Sequence, residues 1–196
     1  MKFTAFGLAM LLFVPTVLVG QTRDTDYQLR FLAHNQTIVR RNFGLALWAI
    51  APDVTVRPRR FLVLGGLLLN NNRGWLEVMG GELFNAPNGN ETILDVRISV
   101  RIARPIGFSG ELFYSLKDQR VLFSQSINVP FSIKGLQMSS GEESEILFPK
   151  ARPAVIGVGP RFTVQLPFWR RVSVTNAYHF RWKRENIFRT YVFVNF

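Results

Sequence analysis

The chain has two histidines and no cysteine. Disulfides and thiolate metal sites are therefore unavailable. His179 is of the right type to act as a general base toward a hydroxyl. Ser173 shares its inferred strand face. Six residues of strand span roughly 20 Å, too far for a hydrogen bond; a Ser from a neighbouring strand stays open as a partner. A lone His on a strand is more often one member of a polar network, so the sequence assigns no catalytic residue, metal ligand or cofactor. The acidic run Glu142-Glu143-Ser144-Glu145 reads as a solvated loop, with capture of a divalent cation as the sharper alternative. The remaining candidates are charged residues at alternating positions: Asp95, Arg97, Arg101, Glu111, Arg161, Arg171, His179, Arg181 and Arg189. Placed on one face of a sheet, they would form an interior network of ion pairs and hydrogen bonds.

The elements that must position them are strands. Leu94, Val96, Ile98, Val100 and Ile102 alternate with Asp95, Arg97, Ser99, Arg101 and Ala103. A strict period of two over ten residues is the length and pattern of a tilted strand crossing a membrane. Val172, Val174, Tyr178, Phe180 and Trp182 repeat the pattern against Arg171, Ser173, Thr175, Ala177, His179 and Arg181. Turn-rich stretches such as Asn70-Asn71-Asn72-Arg73-Gly74 and Lys117-Asp118-Gln119-Arg120 separate the segments, so the chain reads as hairpins without helical interludes. The pattern predicts strands over 27–39, 43–50, 61–70, 75–84, 92–104, 108–117, 120–132, 154–167, 170–182 and 187–196. The first is the weakest. The segment 133–153 is left as the longest loop. Phe61-Leu62-Val63-Leu64 and Leu67-Leu68-Leu69 are apolar on both faces, Asn176 falls on an apolar face, and Pro130 and Pro160 lie inside predicted strands.

Residues 1–20 place Lys2 before an apolar run from Ala5 to Val19, the layout of a cleaved secretory leader. Residues 21–196 then form one domain. No later stretch is long and apolar enough for a transmembrane helix, so any membrane span must be built from strands. The formal net charge is +11, and most of the basic residues are Arg, the side chain suited to bidentate pairing with carboxylate or phosphate. A nucleic-acid partner conflicts with the leader, and no nucleic-acid motif is present. Anionic lipid headgroups and the chain's own carboxylates suit the charge better.

The last residues are Ile187-Phe188-Arg189-Thr190-Tyr191-Val192-Phe193-Val194-Asn195-Phe196. Phe188, Thr190, Val192, Val194 and Phe196 share one face. This ending resembles the C-terminal signature of Gram-negative outer-membrane β-barrels, which the barrel assembly machinery reads. The resemblance covers one strand and is specific to a class, not to a protein. It implies an all-β fold, a closed, antiparallel, up-and-down transmembrane barrel, and the strand pattern puts the count at about ten, with eight as the alternative. It implies an outer-membrane location after leader cleavage, with lipids including anionic lipopolysaccharide and the assembly machinery as partners. An even strand number puts both ends in the periplasm, and the loop 133–153 then lies outside the cell. Trp75, Trp169 and Trp182 sit where an interfacial belt would need them.

The expected function is that of a small barrel acting through its wall, its surface loops or a narrow channel, without catalysis. Two alternatives remain. One is an outer-membrane lipid-modifying enzyme, although the His-any-Ser pattern of the deacylases is absent, the residues being His34-Asn35-Gln36 and His179-Phe180-Arg181. The other is a secreted soluble barrel holding a lipidic ligand, with an apolar inside and a polar outside. In a filled barrel Arg97 and Arg101 should each reach a carboxylate, with Asp95, Glu111 and Glu77 the candidates, because an unpaired buried guanidinium is costly.

Overall fold

Alternation of the type seen at Leu94–Ala103 dictates strands, and the computed structural model is built from nothing else. It describes residues 25–56, 59–87, 89–182 and 184–196; the leader expected over 1–20 lies outside them. Eleven strands follow one another: β1 (Thr25–Arg40), β2 (Phe43–Ala51), β3 (Phe61–Asn71), β4 (Gly74–Phe84), β5 (Glu91–Arg101), β6 (Gly107–Ser115), β7 (Arg120–Ile133), β8 (Leu136–Phe148), β9 (Val155–Gln165), β10 (Val172–Arg181) and β11 (Asn186–Asn195). They form a single closed barrel in which each strand pairs with its neighbours in sequence.

The closed all-β barrel is as expected; its eleven strands stand close to the expected ten, and the additional one is β8. Residues 136–148 are not an outer loop. Lys134 and Gly135 both have positive φ, 49° and 83°, which makes a two-residue turn of the mirror-image type that suits twisted hairpins. β8 leaves that turn to pair along its length with β7 and β9. Closure also departs from a purely antiparallel barrel. β1 and β11 run parallel, from Thr25↔Asn186 to His34↔Asn195, and the other ten contacts around the wall are antiparallel. An odd count makes this unavoidable. It places the start of β1 and the end of β11 at opposite mouths, unlike an even-stranded barrel. Closure leaves no row of unpaired backbone groups at an edge.

Register and burial together sort the faces. On β5, Leu94 is 50% exposed while Asp95 is 1% and Arg97 6% exposed: the aliphatic side chains point out and the charges in. The same parity puts Leu45, Leu47, Leu67, Leu69, Val78, Leu112, Ile127 and Ile156 on the outer surface, all about half exposed. Exposed aromatics mark both rims, with Phe168 and Trp169 at one and Trp182 at the other. Trp75 does not join them: it faces inward against the apolar core.

The interior is not uniformly polar. Strands β2 to β5 send Trp48, Ile50, Leu62, Leu64, Leu68, Met79, Leu83 and Ile93 inward as a packed cluster. This accounts for the segments of β3 that are apolar on both faces: one face meets this cluster and the other is the outer wall. Asn176 lies on the outer face, where Thr190 donates to its Oδ1 at 2.9 Å.

Candidate functional site

The charged layer is assembled by β8, β9, β10, β11 and β1. Glu143 and Glu145 of β8 point inward. Opposite them in register stand Gly159 and Gly157 of β9, which contribute no side chain. A Cβ at Gly157 would come within 3.2 Å of His179 Nδ1 and 3.4 Å of Glu145 Cγ, so glycine leaves the room that the longer side chains fill. Arg189 grips Glu145 with two nitrogens, Nη1 to Oε2 at 2.5 Å and Nη2 to Oε1 at 2.9 Å. This bidentate fork is the strongest form of carboxylate pairing. Arg181 Nη2 approaches the same carboxylate at 3.4 Å. Glu143 Oε1 accepts from the Tyr191 hydroxyl at 2.6 Å and lies 3.1 Å from His179 Nε2. Its Oε2 accepts from Arg161 Nη1 at 2.9 Å. The guanidinium groups of Arg30 and Arg161 lie 5.7 and 5.9 Å from the centre of the Tyr191 ring.

A second polar group joins the charges to the apolar half. Arg97 donates through Nε to Asp95 at 2.9 Å and through Nη2 to Glu111 at 3.0 Å. Its guanidinium sits 4.0 Å above the Trp48 ring. Glu77, fully buried, accepts from Trp48 Nε1 at 2.7 Å and from Gln36 Nε2 at 2.7 Å. His34 Nε2 lies 2.8 Å from Glu77 Oε1, and the His34 ring stacks on Trp48 with centroids 4.0 Å apart. The contacts of Glu77 with Trp48, Gln36 and His34, and of Arg97 with Trp48, link strands that are not neighbours in the wall, so side chains meet across the lumen. Nearer the mouth that holds the start of β1, Glu91 accepts from Ser115 Oγ and Arg120 Nη2, each at 2.9 Å.

Toward the other mouth the lumen opens. A cavity of about 440 Å³ is lined by Arg73, Arg101 and Arg161 among serine and threonine hydroxyls. A neighbouring one of about 330 Å³ is lined by Arg170 and Arg171. They share Pro130, Ser139 and Thr163.

The sequence-derived candidates divide accordingly. Asp95, Arg97 and Glu111 come together, as do Arg161, His179, Arg181 and Arg189 around the β8 carboxylates. Arg101 departs from expectation: it lines the cavity at the open mouth and forms no ion pair among the described residues. Arg171 is not in the wall at all but exposed in the turn between β9 and β10, because β10 begins at Val172. Glu143 and Glu145, which organise the layer, are strand residues of β8 and not the loop residues that the sequence suggests. Their one legible signal is spacing, since positions 143 and 145 fall on the same face of a strand. Phe188, Thr190, Val192, Val194 and Phe196 occupy the outer parity of β11 and of the residue that follows it, and Tyr27 of β1 stacks on Phe188 at 5.9 Å. The Phe196 amide donates to the His34 carbonyl at 3.1 Å, and its carbonyl accepts from Asn35 Nδ2.

Both histidines are buried against carboxylates, and neither forms a hydrogen bond with a Ser or Thr among the described residues. No group of three or more His, Asp or Glu there is arranged to hold a metal ion. No protein-family model, curated protein or solved structure matches the chain.

Proposed function

We propose that this protein is a small integral outer-membrane β-barrel that acts through its wall and mouths rather than by catalysis. The observation that carries this reading is the inverted sorting of side chains. Leu, Val, Ile and Phe cover the outer wall, while paired charges such as Glu145–Arg189 and Asp95–Arg97 are held inside, beside the apolar cluster of β2 to β5. In water, the outward aliphatic belt would be an apolar patch far larger than soluble monomers tolerate. In lipid it is the stable arrangement, and a closed barrel is one of only two folds that satisfy every backbone group there. Exposed aromatics at both rims fit the headgroup levels of such a membrane. The leader layout of residues 1–20 supplies the route of export.

The filled half of the lumen argues against a free passage from mouth to mouth. The lipid-modifying alternative receives no support from His179, which is fully buried among carboxylates instead of lying at the membrane surface beside a hydroxyl.

The test is expression of the full chain in a Gram-negative host, followed by fractionation and electrophoresis with and without boiling. The reading expects recovery in the outer-membrane fraction, resistance to carbonate extraction and a faster-migrating unboiled band. Recovery as a soluble protein without detergent, with one mobility under both conditions, would overturn it.

A further inference from the structure

Acidic side chains are distributed unevenly between the connections at the two mouths. The turns at the open mouth, residues 41–42, 72–73, 102–106, 134–135 and 166–171, contain Arg41, Arg73, Arg104, Lys134, Arg170 and Arg171 and no Asp or Glu. The described connections at the opposite mouth hold as many basic residues, Arg59, Arg60, Lys117, Lys150, Arg152 and Arg184, but set Asp53, Asp118 and Glu185 among them. Neither cavity at the open mouth is lined by a carboxylate. Arg161 gives Nη1 to Glu143, but its buried Nε has no partner, and neither has the buried Oδ1 of Asn128 on the same wall. Arg73 and Arg101, in a cleft whose lining holds no carboxylate and whose walls are low-dielectric protein, focus a positive field.

We infer that the cavity between Arg73, Arg101 and Arg161 is a binding site for a phosphorylated saccharide, free or as the head group of a glycolipid. Arg73 and Arg101 supply the forked donors that match phosphate oxygens, and Arg161, paired with Glu143 through Nη1, adds positive charge beside them. Ser99, Ser109, Ser139 and Thr163 line the same cavity, and a hydroxyl both donates and accepts, which suits sugar hydroxyls as well as phosphate. A volume of about 440 Å³ falls in the range of small-molecule sites. The site stands on this cavity and not on the membrane reading.

The test uses the purified full chain in maltoside micelles, after the unboiled band has shown it to be folded. Glucose 6-phosphate and unphosphorylated glucose are titrated in by calorimetry. Saturable binding of glucose 6-phosphate but not of glucose is expected. The variant Arg73→Gln with Arg101→Gln should weaken it at least about tenfold, the loss expected for charge-assisted hydrogen bonds. Arg152→Gln, at the opposite mouth, should bind as the parent does. Both Gln positions lie at the barrel rim, so the wall survives and folding is checked by the same gel shift. Reconstitution into phosphatidylcholine vesicles with or without lipid A separates the sources: competition by lipid A assigns the site to a lipid head group, and its absence to a soluble sugar phosphate. No saturable heat from folded protein, or equal binding by the double variant, would overturn the proposal while leaving the barrel reading intact.

Discussion

The inner surfaces of β3 and β8 solve the same problem in opposite ways. Both must fill the lumen. β3 does so with Leu62, Leu64 and Leu68, of which the last two are fully buried. β8 does so with Glu143 and Glu145, each held by an arginine. The apolar side needs only shape and volume to be stable. The charged side needs partners, because two ions taken out of water are stable together only if their geometry and remaining hydrogen bonds are complete. A closed barrel can carry both kinds of interior at once, since each strand contributes a separate column of side chains.

The largest effect should come from breaking the charged side. Glu145→Ala leaves the buried Arg189 fork without its acceptor and should cost about 3–5 kcal/mol, read as a shift in urea unfolding of the barrel in vesicles. Glu145→Leu combined with Arg189→Met should recover part of that loss, because the more deeply buried guanidinium is gone while Arg181 still loses its acceptor. If the double variant is as unstable as the single one, the ion pair is not what holds this half, and the contrast with β3 disappears.

Leu64→Ala probes the apolar side. It removes a fully buried side chain from the Trp48–Met79–Ile93 cluster and should cost about 2–5 kcal/mol in the same assay. The backbone room that the charged side depends on gives a third comparison. A Cβ at Gly159 would fall 1.7 Å from the Tyr178 carbonyl oxygen, so β9 and β10 must part to admit it. Gly159→Ala should therefore cost about 1–3 kcal/mol, as overpacking does. Gly65, with nothing closer than 3.9 Å to its Cβ position, should accept Ala with a much smaller change.

The same two strands explain what could be read in the sequence. Where one face is apolar and the other charged, as on β5, alternation shows directly which residues point inward, and Asp95, Arg97 and Glu111 were legible. On β3 both faces are apolar, so periodicity gives a strand but not its inner face. On β8 the middle of the strand is polar on both faces, from Ser139 to Glu145. Ser, Gly and Glu have little strand preference of their own, and the segment looks like a loop. Its structure is imposed by β7 and β9, whose edges it must satisfy, and by Arg161 and Arg189, which lie far away in sequence. The open mouth was hidden for a related reason. Arg73, Arg101 and Arg161 are widely separated along the chain and meet only through the barrel register.

The smallest expected effect is the one that bears most directly on what surrounds the wall. Glu142 is the middle residue of β8, and its parity is opposite to that of Glu143 and Glu145, so it points outward between Ile127 and Pro160. It is half-buried and has no hydrogen bond or ion pair with another described residue. Facing lipid at mid-strand, a carboxylate is destabilising, by less than the roughly 2–4 kcal/mol of Arg or Lys at that depth. Glu142→Leu should then stabilise the barrel in phosphatidylcholine vesicles by up to about 2 kcal/mol. The reciprocal change, Val96→Glu on the outer face of β5, should destabilise it by a similar amount. On a water-facing wall both substitutions would stay within about 0.5 kcal/mol of the parent or reverse in sign, since surface changes away from packed features are small. The pair of variants therefore reads the environment of the outer face directly: opposite shifts in vesicles place lipid against β5 and β8 alike. A stabilising Glu142→Leu without a destabilising Val96→Glu would confine lipid to one side of the barrel, and no shift in either would remove it from both.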